Sequence, residues 1–203
     1  MKDSEIQKRL SLIADLAEDA QAGIEAMIVP FLVYGLAVPA GTALSYYLGS
    51  IGLGRFIWIL WFTLIGSCQL FLIFYHRSIS AEKIQRASDR IFAALWGSTG
   101  TVIVLSFVFA TIGTLTFTAA FFIIGILLAV ACITSGTIIQ KKGRLLLYAI
   151  GSGWTVSAVC CLFVNARNAT LIIAAATFLL FAVPAFAVLL STQKKKRAAN
   201  GKP

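Results

Sequence analysis

No Asp, Glu, Lys, Arg or His occurs anywhere between Ile91 and Gln140. A single helix of that length, at about 1.5 Å per residue, would run roughly 75 Å, more than twice a hydrocarbon core of about 30 Å. The stretch is therefore predicted to cross a membrane twice, with an uncharged turn in the middle. Arg86 and Arg90 precede it, and Lys141, Lys142 and Arg144 follow it. Both feet of the predicted hairpin thus stand on one basic side.

Composition extends this reading to the whole chain. Only 12% of the 203 residues are charged, against about 25% in soluble domains, so there is too little charge to cover a soluble core. Apolar runs and their flanks predict an all-α polytopic membrane protein with six transmembrane helices, at about 26–48, 56–75, 91–111, 117–139, 145–164 and 169–190. Residues 25–191 form the membrane domain, and residues 192–203 a basic tail. Fifteen of the seventeen Lys and Arg flank the spans on one side, leaving Arg55 and Arg167 on the other. Bases mark the cytoplasmic side, so both termini are expected in the cytoplasm of a cell with a multi-pass inner (plasma) membrane protein. The net charge of +9 belongs to this orientation signal. Because the bases cluster at span ends, nucleic acid is not an expected partner.

Residues 1–24 have a different pattern. Ile6, Leu10, Ile13, Ala17, Ala20 and Ile24 fall at steps of four and three, the spacing of one helical face. Ser4 followed by Gln7 fits a capping box. The polar remainder is acidic, with Asp3, Glu5, Asp15, Glu18 and Asp19 running on to Glu25. Helices that lie on anionic membranes are usually rich in Lys and Arg, so this amphipathic helix is expected to dock on protein. Its targets are the chain's own basic loops or a cytosolic partner; a plain extension of the first span is the competing reading. No cleavable signal peptide is expected, since the first 25 residues are polar and charged.

The spans carry little that can do chemistry. Proton relays and ion pumps place ionisable groups within the membrane, and no span has one near its centre. Glu25, at the mouth of the first span, and the helix-breaking Pro30 and Pro39 form a candidate kink or gate. The single histidine, His76, sits at a span end, so no nucleophile–base pair is expected, and catalytic residues are assigned to none. Cys68, Cys132, Cys160 and Cys161 lack metal-ligand spacing, so neither metal nor cofactor is expected. Gly97-Ser98-Thr99-Gly100, Ser135-Gly136-Thr137 and Gly151-Ser152-Gly153 are read as small residues that let helices approach. Asn168-Ala169-Thr170 matches a glycosylation sequon close to a span start.

One weaker positive signal remains. Ser67 and Gln69, Thr99 and Thr101, Thr134 and Ser135, and Ser152 and Thr155 fall at comparable depth in the inner halves of four spans. They form either a candidate polar pocket or a set of helix-packing hydrogen bonds. Two functions follow. The first is a non-enzymatic, membrane-embedded interaction or sensory protein, working through its N-terminal helix on a protein partner or as a homo-oligomer. The second is a transporter or channel for a neutral or hydrophobic solute.

The layout resembles uncharacterised bacterial multi-span inner-membrane proteins that begin with a cytosolic amphipathic helix. The resemblance is carried by the 4–24 helix running into Gly23-Ile24-Glu25, and by Arg86-Ala87-Ser88-Asp89-Arg90 running into the third span. It implies a lipid-bilayer setting and transfers no functional residues.

Overall fold

The computed structural model describes residues 27–80, 87–138 and 141–200. The N-terminal helix expected over 1–24, and Glu25 with it, lie outside the described residues. Those described are almost entirely helical, with no strand among them. The helices are α1 (Met27–Ser50), α2 (Ile57–Ser80), α3 (Ala87–Thr111), α4 (Phe117–Ile138), α5 (Lys141–Leu162), α6 (Ala166–Thr177) and α7 (Val183–Asn200). A π-helical turn, Phe178–Ala182, joins α6 to α7 into one long span. Among the described residues six helices are long and apolar enough to cross a membrane, the number expected from the sequence. The protein is a multi-pass, all-α membrane protein.

Three short turns end these helices in chemically legible ways. Gly52 and Gly113 both have φ of +79°, the left-handed conformation that glycine adopts without a Cβ penalty. After α1, Leu53 N–H reaches Leu48 C=O and Gly52 N–H reaches Gly49 C=O. After α3, Thr114 N–H reaches Phe109 C=O and Gly113 N–H reaches Ala110 C=O. Both are Schellman closures, which satisfy carbonyls that a helix end would otherwise orphan. The returning helices are capped in turn. Thr116 Oγ1 accepts from Ala119 N–H at 3.2 Å, and Asn165 Oδ1 accepts from Asn168 N–H at 2.9 Å. These turns share one end of the bundle, the short-turn face; the opposite end, carrying Lys141, Lys142 and Arg144, is the basic face.

The core forms where small residues let helices touch. A Cβ on Gly125 of α4 would stand 2.7 Å from Ala158 Cβ of α5, and one on Gly151 would stand 3.0 Å from Ala129 C=O. With lipid outside, hydrophobic transfer drives little helix association, so close van der Waals contact has to do it. Ala120, Ala131, Cys132, Ser135, Ala158 and Cys161 are fully buried along this seam. A single aromatic cluster crosses the bundle: Phe31 stacks on Phe181 at 4.3 Å, Trp154 packs on Phe181 at 5.3 Å, and Trp96 meets Phe31 edge-on at 5.5 Å. Contacts of this kind contribute about 0.5–1.5 kcal/mol each beyond area burial.

Helix α1 packs against both the π-turn and α2. Gly35 presses on the π-turn so closely that a Cβ would meet Ala182 N at 2.5 Å. On another side Gly41 lies against Leu64 and Trp61 of α2. Helix α1 is continuous from Met27 to Ser50 and includes both Pro30 and Pro39. Helices α2 and α3 are peripheral. Trp58, Phe62 and Phe74 of α2, and Val104, Val108 and Phe109 of α3, are exposed. A soluble monomer rarely shows so much contiguous apolar surface; in a bilayer this is the face that meets lipid.

Candidate functional site

The inner-half polar residues do not converge on one cavity. Ser67 and Gln69 are exposed on peripheral α2. Thr99 is buried, but its hydroxyl donates to Leu95 C=O in its own helix at 2.8 Å. Thr101 is exposed and donates to Gly97 C=O at 2.9 Å. Thr155, also exposed, donates to Gly151 C=O at 3.1 Å. Such back-bonds to the preceding turn satisfy a hydroxyl locally and leave it little to offer a solute. Thr134 is half-buried and Ser152 exposed. One member couples two spans: fully buried Ser135 accepts from Trp96 Nε1 at 3.2 Å.

Two side-chain donors that the sequence did not single out are buried without partners among the described residues, and one of them, Trp154, belongs to the aromatic cluster. Tyr34 Oη and Trp154 Nε1 are buried, and neither has a hydrogen-bond partner. Buried polar groups are nearly always satisfied, so these two are the unusual polar features of the interior. In sequence Trp154 stands among Gly151, Ser152, Gly153 and Thr155, and Trp58 three residues from Arg55; which indole N–H goes unpartnered depends on packing that the sequence does not display.

The cavities are elsewhere and apolar. A small cleft of about 40 Å³ opens where α1, α5 and α7 meet, lined by Met27, Ile28, Phe31, Leu147, Pro184 and others. Gly143 is part of its wall, and the next residue, Arg144, is exposed. The cleft thus lies at the basic face, beside the point where the 1–26 segment joins α1.

A larger groove of about 460 Å³ runs between α1 and α6 on the short-turn side. Pro39, Ala43, Leu171, Ala175 and Phe178 form its walls, with Tyr46 at one end. Among the described residues, Pro39 is the one sequence-level candidate that lines either cavity. At the Tyr46 end, Tyr46 Oη donates to Arg167 C=O at 2.8 Å, and the Arg167 guanidinium lies 5.2 Å from the Tyr46 ring centre. Tyr46 and Arg167 each carry an interfacial signal in the sequence; that they meet across 121 positions is visible only in the fold.

Among the described residues no cluster of His, Cys, Asp or Glu has the makings of a metal site. What the arrangement offers is apolar surface bounded by cations at both ends of the bundle. Comparison with protein-family models, with curated proteins and with solved structures finds no match to this chain.

Proposed function

We propose that this chain is a non-enzymatic interaction or sensory protein of the inner membrane, with both termini cytoplasmic, and that its acidic N-terminal helix is the working part. The helix docks on the basic face of its own bundle and is released to, or shared with, a cytosolic protein partner. The observation that supports this most directly is the apolar cleft between α1, α5 and α7. At about 40 Å³ it has room for the tip of one apolar side chain of the stripe, and the sequence places Lys141, Lys142 and Arg144 at the same end of the bundle for the acidic remainder. Opposite charges at a solvated surface give specificity and fast encounter more than affinity, which suits a reversible contact.

Deleting residues 2–22 tests the reading. The expected result is normal membrane insertion with loss of co-purifying cytosolic protein. Charge reversal of Lys141, Lys142 and Arg144 together should alter the same set of partners. An unchanged partner set in a normally inserted deletion variant would sink the proposal.

A second reading, a transporter or channel for a neutral solute, draws on Tyr34 and Trp154, whose free donors would suit a hydrogen-bond acceptor passing through the core. Flux into proteoliposomes, compared among the parent, Trp154→Phe, Gln69→Leu and Pro30→Ala, addresses it. A tight bilayer across a broad panel of neutral solutes counts against it.

A further inference from the structure

Helix α1 runs antiparallel to the span formed by α6 and the π-turn, and the two touch at two levels. Near the middle of the bundle Gly35 meets Ala182 backbone to backbone. At the short-turn face Tyr46 bonds Arg167. Between those contacts the helices part, and the gap is the groove described above. Small residues make the room: Ala43 on one wall, Ala174 and Ala175 on the other. Ala43, Leu171, Ala175 and Phe178 are exposed, so the groove opens sideways to lipid rather than along the bundle axis.

From Arg167 to Phe178 is about 16 Å at 1.5 Å per residue, roughly half of a 30 Å hydrocarbon core. The groove itself, walled by 39–46 on α1 and 171–178 on the facing span, covers about 10 Å of that depth at 1.5 Å per residue, and Arg167 stands one turn beyond its Leu171 end. Its volume falls within the range of about 300–1,000 Å³ typical of small-molecule sites. A helix from another protein, about 10 Å across, would not enter a slot whose two sides touch above and below. A flexible hydrocarbon chain enters it readily, and dispersion contacts favour filling the void.

The polar end of the groove specifies the rest of the ligand. Arg167 sits there with its guanidinium over the Tyr46 ring. The sequence contains no Asp or Glu after Asp89, so neither α6 nor the turn before it offers a carboxylate to pair with. A guanidinium at headgroup depth forms strong, directional bonds with phosphate oxygens. We propose that the groove between α1 and α6 seats one acyl chain of an anionic phospholipid, with the lipid phosphate held by Arg167. The site is independent of the N-terminal segment and of the proposal made for it.

Native mass spectrometry of the full chain in detergent tests this, using phosphatidylglycerol and phosphatidylcholine with the same acyl chains at equal concentration. The parent is expected to retain one phosphatidylglycerol in preference to phosphatidylcholine. Ala175→Trp fills the groove and should lose the retained lipid; Ala43→Leu, on the opposite wall, carries the same test if that variant does not fold. Arg167→Gln should keep acyl-chain binding but lower the preference for phosphatidylglycerol by about fivefold, the effect of one base near a membrane surface. Leu105→Trp, on the lipid-facing side of α3, should change nothing. Equal retention by the parent and the groove variants overturns the proposal. So does equal loss in Leu105→Trp, or an unchanged headgroup preference in Arg167→Gln. A dimer that disappears in Ala175→Trp while lipid retention stays constant would assign the groove to a second copy of the chain and overturn it as well.

Discussion

At the scale of single residues, glycine decides where helices meet, but only some glycines do so. The sequence marks Gly97, Gly100, Gly136, Gly151 and Gly153 alike as packing residues. In the fold, a Cβ on Gly136 would meet the Tyr148 ring at 2.9 Å and one on Gly153 would meet Leu180 at 2.7 Å, whereas Gly97 and Gly100 have nothing within 4 Å. Small-residue content is local information; which face a neighbouring helix covers is not. Two substitutions separate the classes. Gly125→Val pushes side-chain atoms into Ala158 and should cost about 1–3 kcal/mol, the usual penalty of overpacking. Gly97→Ala meets open space and should be neutral or stabilise by up to about 1 kcal/mol, because alanine is the better helix former. Thermal unfolding of the purified variants in detergent reads both, and a destabilised Gly97→Ala would refute the distinction. The hydroxyls follow the same logic. Their comparable depth is legible in the sequence, while their use of their own helix's carbonyls depends on rotamers that it does not display. Ser135→Ala should cost about 0.6 kcal/mol, the average for an interhelical bond in a membrane, because Trp96 Nε1 loses its acceptor.

At the scale of elements, the span ending in α7 shows how a proline shapes its neighbours. Pro184 has no N–H to return to the preceding turn. Just ahead of it the helix widens into the π-turn, where Val183 N–H bonds Phe178 C=O, five residues back. Such bulges are a common way of absorbing a break in the ladder. Here the bulge carries two of the fold's central contacts, Phe181 on Phe31 and Ala182 on Gly35. A bend near Pro184 is legible from the proline alone. A π-turn is not, since it depends on the α1 surface that presses against it. Phe181→Ala should therefore destabilise the bundle, by about 1–3 kcal/mol. That is less than the roughly 3–5 kcal/mol seen for Phe→Ala in soluble cores, because the unfolded reference state in a membrane is apolar too and only packing is lost. Phe71→Ala on peripheral α2, where the ring is 53% exposed, should stay within about 0.5 kcal/mol. The pair is compared by thermal unfolding; equal losses would mean that α2 packs as tightly as the π-turn.

At the scale of the whole molecule, the number of spans is the most legible property, because it follows from run length and from charge-free stretches that no soluble fold would tolerate. Which helices form the core is much less so. Helix α2 is at least as apolar in sequence as α5, yet α5 shares the buried seam with α4 and α2 lies outside it. Hydropathy cannot separate them, since lipid and protein interior are equally apolar surroundings. Orientation is fixed by different physics: the cost of carrying bases across the membrane, which depends on flanking Lys and Arg and not on packing. With Arg55 and Arg167 alone on the short-turn face, that face should be exported and the basic face retained. Single cysteines introduced at Ser50, Thr114 and Asn165, in a chain whose Cys68, Cys132, Cys160 and Cys161 are replaced by Ala, should react with a membrane-impermeant maleimide in intact cells. A cysteine at Gln140 should react only after permeabilisation. Neutralising Lys194, Lys195, Lys196 and Arg197 should leave this pattern unchanged, because the bases around residues 77–90 and 141–144 still outnumber those opposite. If the label instead reaches Gln140 first, the bases lie on the exported side, and the acidic N-terminal segment cannot meet a cytosolic partner as proposed.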